Sequence, residues 1–137
     1  MKKKRVLILG CTGSIGRSTL NIVKSNLDKF DVVGLSAYNN NTDLQNIANS
    51  FNCKNTYLAK DGVEGLISFI KKTEADICVN GIAGSAGLLP SVAALQSNKN
   101  LALANKETMV MAGPLIKNLA KSKKLDLLPV DSEHSAV

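Results

Sequence analysis

Arg5-Val6-Leu7-Ile8-Leu9-Gly10-Cys11-Thr12-Gly13-Ser14-Ile15-Gly16 is the stretch that decides the fold. A short apolar run that stops at glycine reads as a buried strand, Arg5 to Leu9. The residues after it, Ser14 to Leu27, carry Ile15, Thr19, Ile22 and Val23 at helical spacing. Strand, glycine turn and helix in that order open many doubly wound sheets.

Working outward, the alternation continues. Asp31 to Ala37 reads as a second strand and Asp43 to Phe51 as a helix. Asn55 to Ala59 reads as a strand and Val63 to Lys72 as a helix. Asp76 to Asn80 is the fourth strand, and Gly81 to Gly87 is a loop. Pro90 then falls just inside the next helix, where its missing N–H costs little. Leu101 to Ala104, a helix over Glu107 to Lys121, and Leu125 to Val130 complete the pattern. Strands alternating with helices imply parallel pairing through right-handed crossovers. Runs such as Val6-Leu7-Ile8-Leu9 and Asp76-Ile77-Cys78-Val79 are nearly continuously apolar, as in a sheet covered on both faces. The expected architecture is α/β: a doubly wound, Rossmann-like parallel sheet of six to seven strands with helices on both faces.

At 137 residues, 45% hydrophobic and 20% charged, the chain has the size and apolar content of one compact domain. It has no run of 18 apolar residues that would span a bilayer. Lys2-Lys3-Lys4-Arg5 imitates the start of a signal peptide, but the apolar run behind it is short and ends in the glycine loop. A cytoplasmic protein is expected, with no membrane partner. Cys11, Cys53 and Cys78 are odd in number and widely spaced, which suits neither a disulfide framework nor a zinc site. The net charge of +6 invites a nucleic-acid partner. Only Arg5 and Arg17 are arginines, however, and the lysines lack interleaved aromatics, so a solvated basic surface is the reading.

In an open sheet of this class, ligands bind beyond the carboxyl ends of the strands. Gly10 to Gly16 lies there, with a GxxGxxG spacing one residue removed from the GxGxxG fingerprint. The glycines permit a tight turn and close approach of a pyrophosphate to the start of a helix, while Thr12 and Ser14 add hydroxyl donors. The competing reading is a plain strand-to-helix turn capped by Ser14. A carboxylate at the end of the second strand would bind the ribose 2′-OH of NAD. Ala37-Tyr38-Asn39-Asn40-Asn41 holds none, which permits NADP without attracting it, and one Asn or Thr42 is expected to cap the next helix.

Asn105-Lys106-Glu107 is either an N-cap with a dipole-favoured acid, or a site that sets Lys106 against an oxyanion. In extended backbone Asp131 and Glu133 point the same way and can converge on a hard cation such as Mg²⁺ or Mn²⁺; a helix cap is the alternative. His134, the only histidine, can serve as acid, base or ligand, or as none of these.

Taken together, GCTGSIG at 10–16, NGIAGSAGLLPS at 80–91, LALANKE at 101–107 and LLPVDSEHSA at 127–136 resemble the 1-deoxy-D-xylulose 5-phosphate reductoisomerase family. The resemblance runs in order over essentially the whole chain. It implies a metal-assisted rearrangement of a ketose phosphate followed by hydride delivery from NADPH, giving 2-C-methyl-D-erythritol 4-phosphate in non-mevalonate isoprenoid biosynthesis. By the same resemblance, Gly10, Gly13 and Gly16 belong to the cofactor loop. Thr12, Gly13, Ser14 and Ile15 hold the pyrophosphate, Asn40 the adenosine end, and Asn105 and Glu107 the nicotinamide half. Lys106 contacts substrate, Ser132 lies beside it, and Asp131 and Glu133 are two of three carboxylates that bind Mg²⁺ or Mn²⁺. His134 is left a supporting role.

Many relatives carry a glycine and a basic residue where this chain has Tyr38 and Asn39, which leaves open what recognises the 2′-phosphate. The resemblance further implies that residues 1–130 form an NADP-binding domain and 131–137 the start of a catalytic domain. The chain is then the cofactor part of a larger homodimeric enzyme, inactive on its own. The competing functions are a semialdehyde-dehydrogenase type of NADP domain, which needs a nucleophilic cysteine outside the loop, and a non-catalytic NADP-sensing domain.

Overall fold

Val6, Leu7, Ile8 and Leu9 are all buried, so the first strand has no solvated face and must lie inside a sheet sandwiched by helices. The computed structural model describes residues 2–103 and 106–129, with the segment 106–112 as backbone only. Its strands are β1 (Lys4–Leu9), β2 (Phe30–Ala37), β3 (Thr56–Leu58), β4 (Ile77–Asn80), β5 (Asn100–Leu103) and β6 (Leu127–Pro129). All neighbouring pairs are parallel, in the order β3-β2-β1-β4-β5-β6. The chain order reverses between β1 and β4, which opens a crevice at the carboxyl ends of those two strands.

The helices are α1 (Ser14–Lys24), α2 (Asn41–Ser50), α3 (Val63–Lys72), α4 (Leu88–Gln96) and α5 (Lys106–Ser122). Side chains from the two sheet faces form two cores. Val6, Ile8, Leu35 and Val79 pack against Leu20 and Val23 of α1 and Leu44 and Ala48 of α2. Leu7, Leu9, Cys78 and Leu101 pack against Leu66 and Ile70 of α3, Ala94 and Leu95 of α4, and Ile116 of α5. The expected doubly wound sheet is therefore present, with six strands among the described residues.

Several boundaries move for local reasons. α1 ends at Lys24 rather than Leu27, because the Asn26 side chain donates to the Ile22 carbonyl at 2.8 Å and its N–H to Val23, diverting the chain into a turn. Ile22, placed on the buried stripe by its spacing, is 54% exposed; the inward residues are Gly16, Leu20 and Val23. β3 is three residues long and runs into a 3₁₀ turn, Ala59–Asp61. The glycine loop after β4 contains another, Gly84–Gly87, and Pro90 sits in the first turn of α4 as expected. Pro114 lies within α5. Ala104 and Val130, the expected ends of two strands, lie outside the described residues. One lysine departs from the solvated surface: Lys99 is 2% exposed, donates to Ser97 Oγ at 2.9 Å, and has its pKa pushed down by burial.

At the amino edge of the sheet, Arg5 ties β1 to the start of β4. Its backbone N–H and Nε donate to Asp76 Oδ2 at 2.8 and 3.3 Å, and Nη2 donates to Oδ1 at 3.0 Å. The Arg5 side-chain hydrogen bonds, then its backbone N–H, hold the Asp76 carboxyl down at about 2. A carboxyl depressed by folding stabilises the native state above its unfolded pKa of about 3.9, and that stabilisation is lost as pH falls through the folded value. Thermal midpoints recorded from pH 2 to pH 7 should therefore drop more steeply on the acid side in the parent than in Asp76→Asn, with the variant lower at neutral pH.

Candidate functional site

The carboxyl ends of β1 and β4 meet at glycine. Gly10 has φ +65°, in the region that favours glycine, and a Cβ there would stand 2.9 Å from the Gly81 carbonyl carbon. The Gly81 N–H donates to the Leu9 carbonyl at 2.9 Å, and a Cβ on Gly81 would come within 3.0 Å of that same oxygen. A Cβ on Gly16 would stand 2.5 Å from both the Cys11 Cα and the Gly10 carbonyl oxygen. Backbone packs on backbone at all three positions, so no side chain can be accommodated by a rotamer change.

Gly13 differs. Its φ is −81°, and its nearest neighbour to an added Cβ is 3.5 Å away, an ordinary contact. It is exposed and lines the cleft, so what its missing side chain preserves is open space for a ligand rather than the fold. Gly13, not Ser14, is the N-cap of α1, and no side chain caps that helix or places an acid in its first turn. The positive end of the helix dipole thus faces the cleft, with the amides of Ser14, Ile15 and Gly16 at its start, an arrangement suited to a phosphate group.

The cleft has a volume of about 510 Å³, within the range of small-molecule sites. Its lining comes from Gly10, Thr12 and Gly13 after β1, from Gly81, Ile82 and Ala83 after β4, and from Tyr38, Ala59, Val63 and Leu66 beyond β2 and β3. Tyr38 is 67% exposed at its mouth, an aromatic face beside a mostly apolar wall. The loops after β1 and β2 are joined by Arg17, whose Nε donates to the Thr12 carbonyl at 2.8 Å and whose Nη2 meets Asp43 Oδ2 at 3.2 Å. Asn40 caps α2: its Oδ1 accepts from the Asp43 N–H and its Nδ2 donates to Asp43 Oδ2, both at 3.0 Å.

On the far side of the cleft, Asn80 is a buried hub that the sequence reading passed over. Its Nδ2 donates to the Gly87 carbonyl and Ser91 Oγ at 2.9 and 2.8 Å, while its Oδ1 accepts from the Ile82 N–H at 3.0 Å. One amide thereby fixes the whole β4–α4 loop. An Asn-Gly pair closing an apolar strand was its only sequence signal.

Of the loop residues, Gly10, Thr12 and Gly13 line the cleft, Ser14, Ile15 and Gly16 form the first turn of α1 behind them, and Asn40 is the N-cap of α2 on the adjoining loop. Lys106 and Glu107 begin α5, on the rim next to the carboxyl end of β5. Asn105, Asp131, Ser132, Glu133 and His134 lie outside the described residues. Among the described residues there is no group of three or more His, Cys, Asp or Glu able to hold a metal ion, and no helix long and apolar enough to cross a membrane.

The sequence profile of the 1-deoxy-D-xylulose 5-phosphate reductoisomerase family matches residues 6–64 and 54–113. This chain belongs to that family. It is 43% identical to the reductoisomerase of Caldanaerobacter subterraneus subsp. tengcongensis, over 98% of this chain and 40% of the relative. The Zymomonas mobilis reductoisomerase solved with NADPH superposes with a TM-score of 0.87 at 36% identity, over 97% of this chain and 40% of that one. A reductoisomerase solved with NADPH, fosmidomycin and magnesium gives 0.85 at 33% identity, over 96% of this chain and 37% of that one. The chain therefore spans about two-fifths of the length of the relatives it matches.

The thiols speak against dehydrogenase chemistry through cysteine. Cys11, Cys53 and Cys78 are free and buried. Burial pushes Cys11 up to about 11 and Cys78 up to about 12, and raises Cys53 as well. None is a poised thiolate. A thiol reagent at pH 8 should label the native protein slowly and all three sites promptly once it is denatured.

The glycine geometry separates two substitutions that look alike in sequence. Gly16→Ala should destabilise by about 1–3 kcal/mol through forced overpacking against backbone, read as a lowered denaturant midpoint. Gly13→Val, whose Cβ meets nothing closer than 3.5 Å, should cost less than that, through the loss of a good N-cap residue rather than a backbone clash.

Proposed function

We propose that these residues form the NADPH-binding part of an enzyme that converts 1-deoxy-D-xylulose 5-phosphate to 2-C-methyl-D-erythritol 4-phosphate, in non-mevalonate isoprenoid biosynthesis. The observation that carries the reading is the uncapped start of α1, set behind a glycine cradle at the point where the strand order reverses. The donor set fits a dinucleotide: backbone amides and the hydroxyls of Thr12 and Ser14 for the pyrophosphate, and an apolar wall with Tyr38 beyond them for a base.

In this reading residues 1–130 are the nucleotide domain and 131–137 begin the catalytic one. Thr12, Gly13, Ser14 and Ile15 hold the pyrophosphate, Asn40 holds the adenosine end through its loop, and Asn105 and Glu107 hold the nicotinamide half. Lys106 and Ser132 approach the sugar phosphate, and Asp131 and Glu133 contribute two oxygen ligands to Mg²⁺ or Mn²⁺. When bound, NADPH supplies the hydride and the divalent ion acts as a Lewis acid on the substrate oxygens. The whole enzyme is assigned as a cytoplasmic homodimer acting on a small molecule, with neither nucleic acid nor membrane as partner.

Isothermal titration of the 137-residue chain tests the reading. Saturable NADPH binding, at least about tenfold tighter than NADH and abolished by Gly13→Val in a folded sample, is the expected result. A folded chain that binds neither nucleotide would overturn it. Because two carboxylates alone make a weak, open site for a hard cation, this polypeptide by itself is expected to yield no product with NADPH, substrate and Mg²⁺.

A further inference from the structure

In a sheet of this order the adenosine ribose of a dinucleotide rides over the carboxyl end of β2, where NADP-specific sites place a cation for the 2′-phosphate. Here that end, Ala37 to Asn41, carries no charge. Arg17 is near, but its guanidinium is already committed to the Thr12 carbonyl and the Asp43 carboxylate. The cation that the topology does deliver comes from the neighbouring strand. β3 pairs with β2 in a register that sets Leu58 beside Ala37. Two residues further, the Lys60 N–H donates to the Tyr38 carbonyl at 2.9 Å. That bond anchors Lys60, in the 3₁₀ turn Ala59–Asp61, directly alongside the β2 tip. Its side chain is exposed and enters no hydrogen bond or ion pair among the described residues, while its neighbours Ala59 and Tyr38 both line the cleft.

We propose that Lys60 is the residue that makes this chain prefer NADPH over NADH, its ammonium meeting the 2′-phosphate above the β2 tip. The inference rests on the NADPH reading given above. A lysine suits the role because its flexible four-carbon stem lets a point charge reach a phosphate without a fixed fork geometry. The carboxylates nearby form no ion pair with it. Asp43 is held by Arg17 and by Asn40, and Asp61 enters no ion pair with Lys60.

The test is to titrate the parent chain, Lys60→Gln, Lys60→Glu, Lys60→Arg and Arg17→Gln with NADPH and with NADH, at low and at high salt. Since the Lys60 side chain is exposed and makes no hydrogen bond or ion pair among the described residues, these substitutions are expected to leave the fold intact, and a thermal midpoint checks that. Lys60→Gln should raise the NADPH Kd by about fivefold, leave the NADH Kd unchanged, and flatten the salt dependence of NADPH binding. Lys60→Glu should weaken NADPH further, and Lys60→Arg should restore it. An unchanged NADPH Kd in Lys60→Gln, equal losses for both nucleotides, or a NADPH-selective loss confined to Arg17→Gln would each overturn the proposal. A folded parent that binds neither nucleotide would instead sink the NADPH reading, and the proposal with it.

Discussion

Three stretches of backbone meet where β1 ends, β4 ends and α1 begins, and they touch without any side chain between them. Gly10, Gly16 and Gly81 are each within about van der Waals contact of main-chain atoms from another of these segments. This contact sets the distance of α1 from the sheet and the height of its first turn above the strand ends. Everything placed on the rim inherits that height: the uncapped amides of α1, the loop after β4, and the cleft between them. The sheet order does the rest, since reversal between β1 and β4 leaves no crossover covering the site.

Polar contacts then divide the rim into two arms. On one side, Arg17, Asp43 and Asn40 link the loop after β1 to the first turn of α2. On the other, Asn80 and Ser91 hold the β4–α4 loop from inside. The first arm is exposed and therefore weakly held and salt-sensitive. The second is buried, where a lost partner would leave an unsatisfied amide at a cost of about 1–3 kcal/mol. A firm wall facing an adjustable one is a workable arrangement for a ligand that must both bind and leave.

Apolar runs make the succession of strands along the chain legible: the sequence bounds of β1, β2 and β4 fall within one residue of the observed ends, and α3 over Val63 to Lys72 agrees at both ends. The glycine loop was legible because its glycines have a mechanical reason. What stayed hidden depended on partners distant in sequence. The end of α1 is the exception, a local contact: Asn26 bonds back to Ile22, four residues earlier, which helical spacing alone does not reveal, and Ile22 faces water. Gly81 reads as loop filler until β4 is placed beside β1. Lys60 reads as one surface lysine among many until β3 is paired with β2. A closed turn capped by Ser14 is the competing reading of the same letters, and it fails because the cap falls one residue earlier, on Gly13, which leaves the helix end open.

The burial of the Asn80 amide also governs how this domain ages. An asparagine followed by glycine is ordinarily the fastest pair in a polypeptide to deamidate, because the following amide nitrogen attacks the side-chain carbonyl and expels the side-chain nitrogen as ammonia, leaving a succinimide that water then opens. Here the attacking nitrogen, that of Gly81, is engaged with the Leu9 carbonyl, and the side chain under attack is gripped at both ends in a strand conformation. Cyclisation requires both grips to be released together, which amounts to opening the centre of the sheet. Isoaspartate at this position would then be a chemical record of molecules that had unfolded, accumulating in proportion to the time spent in that state.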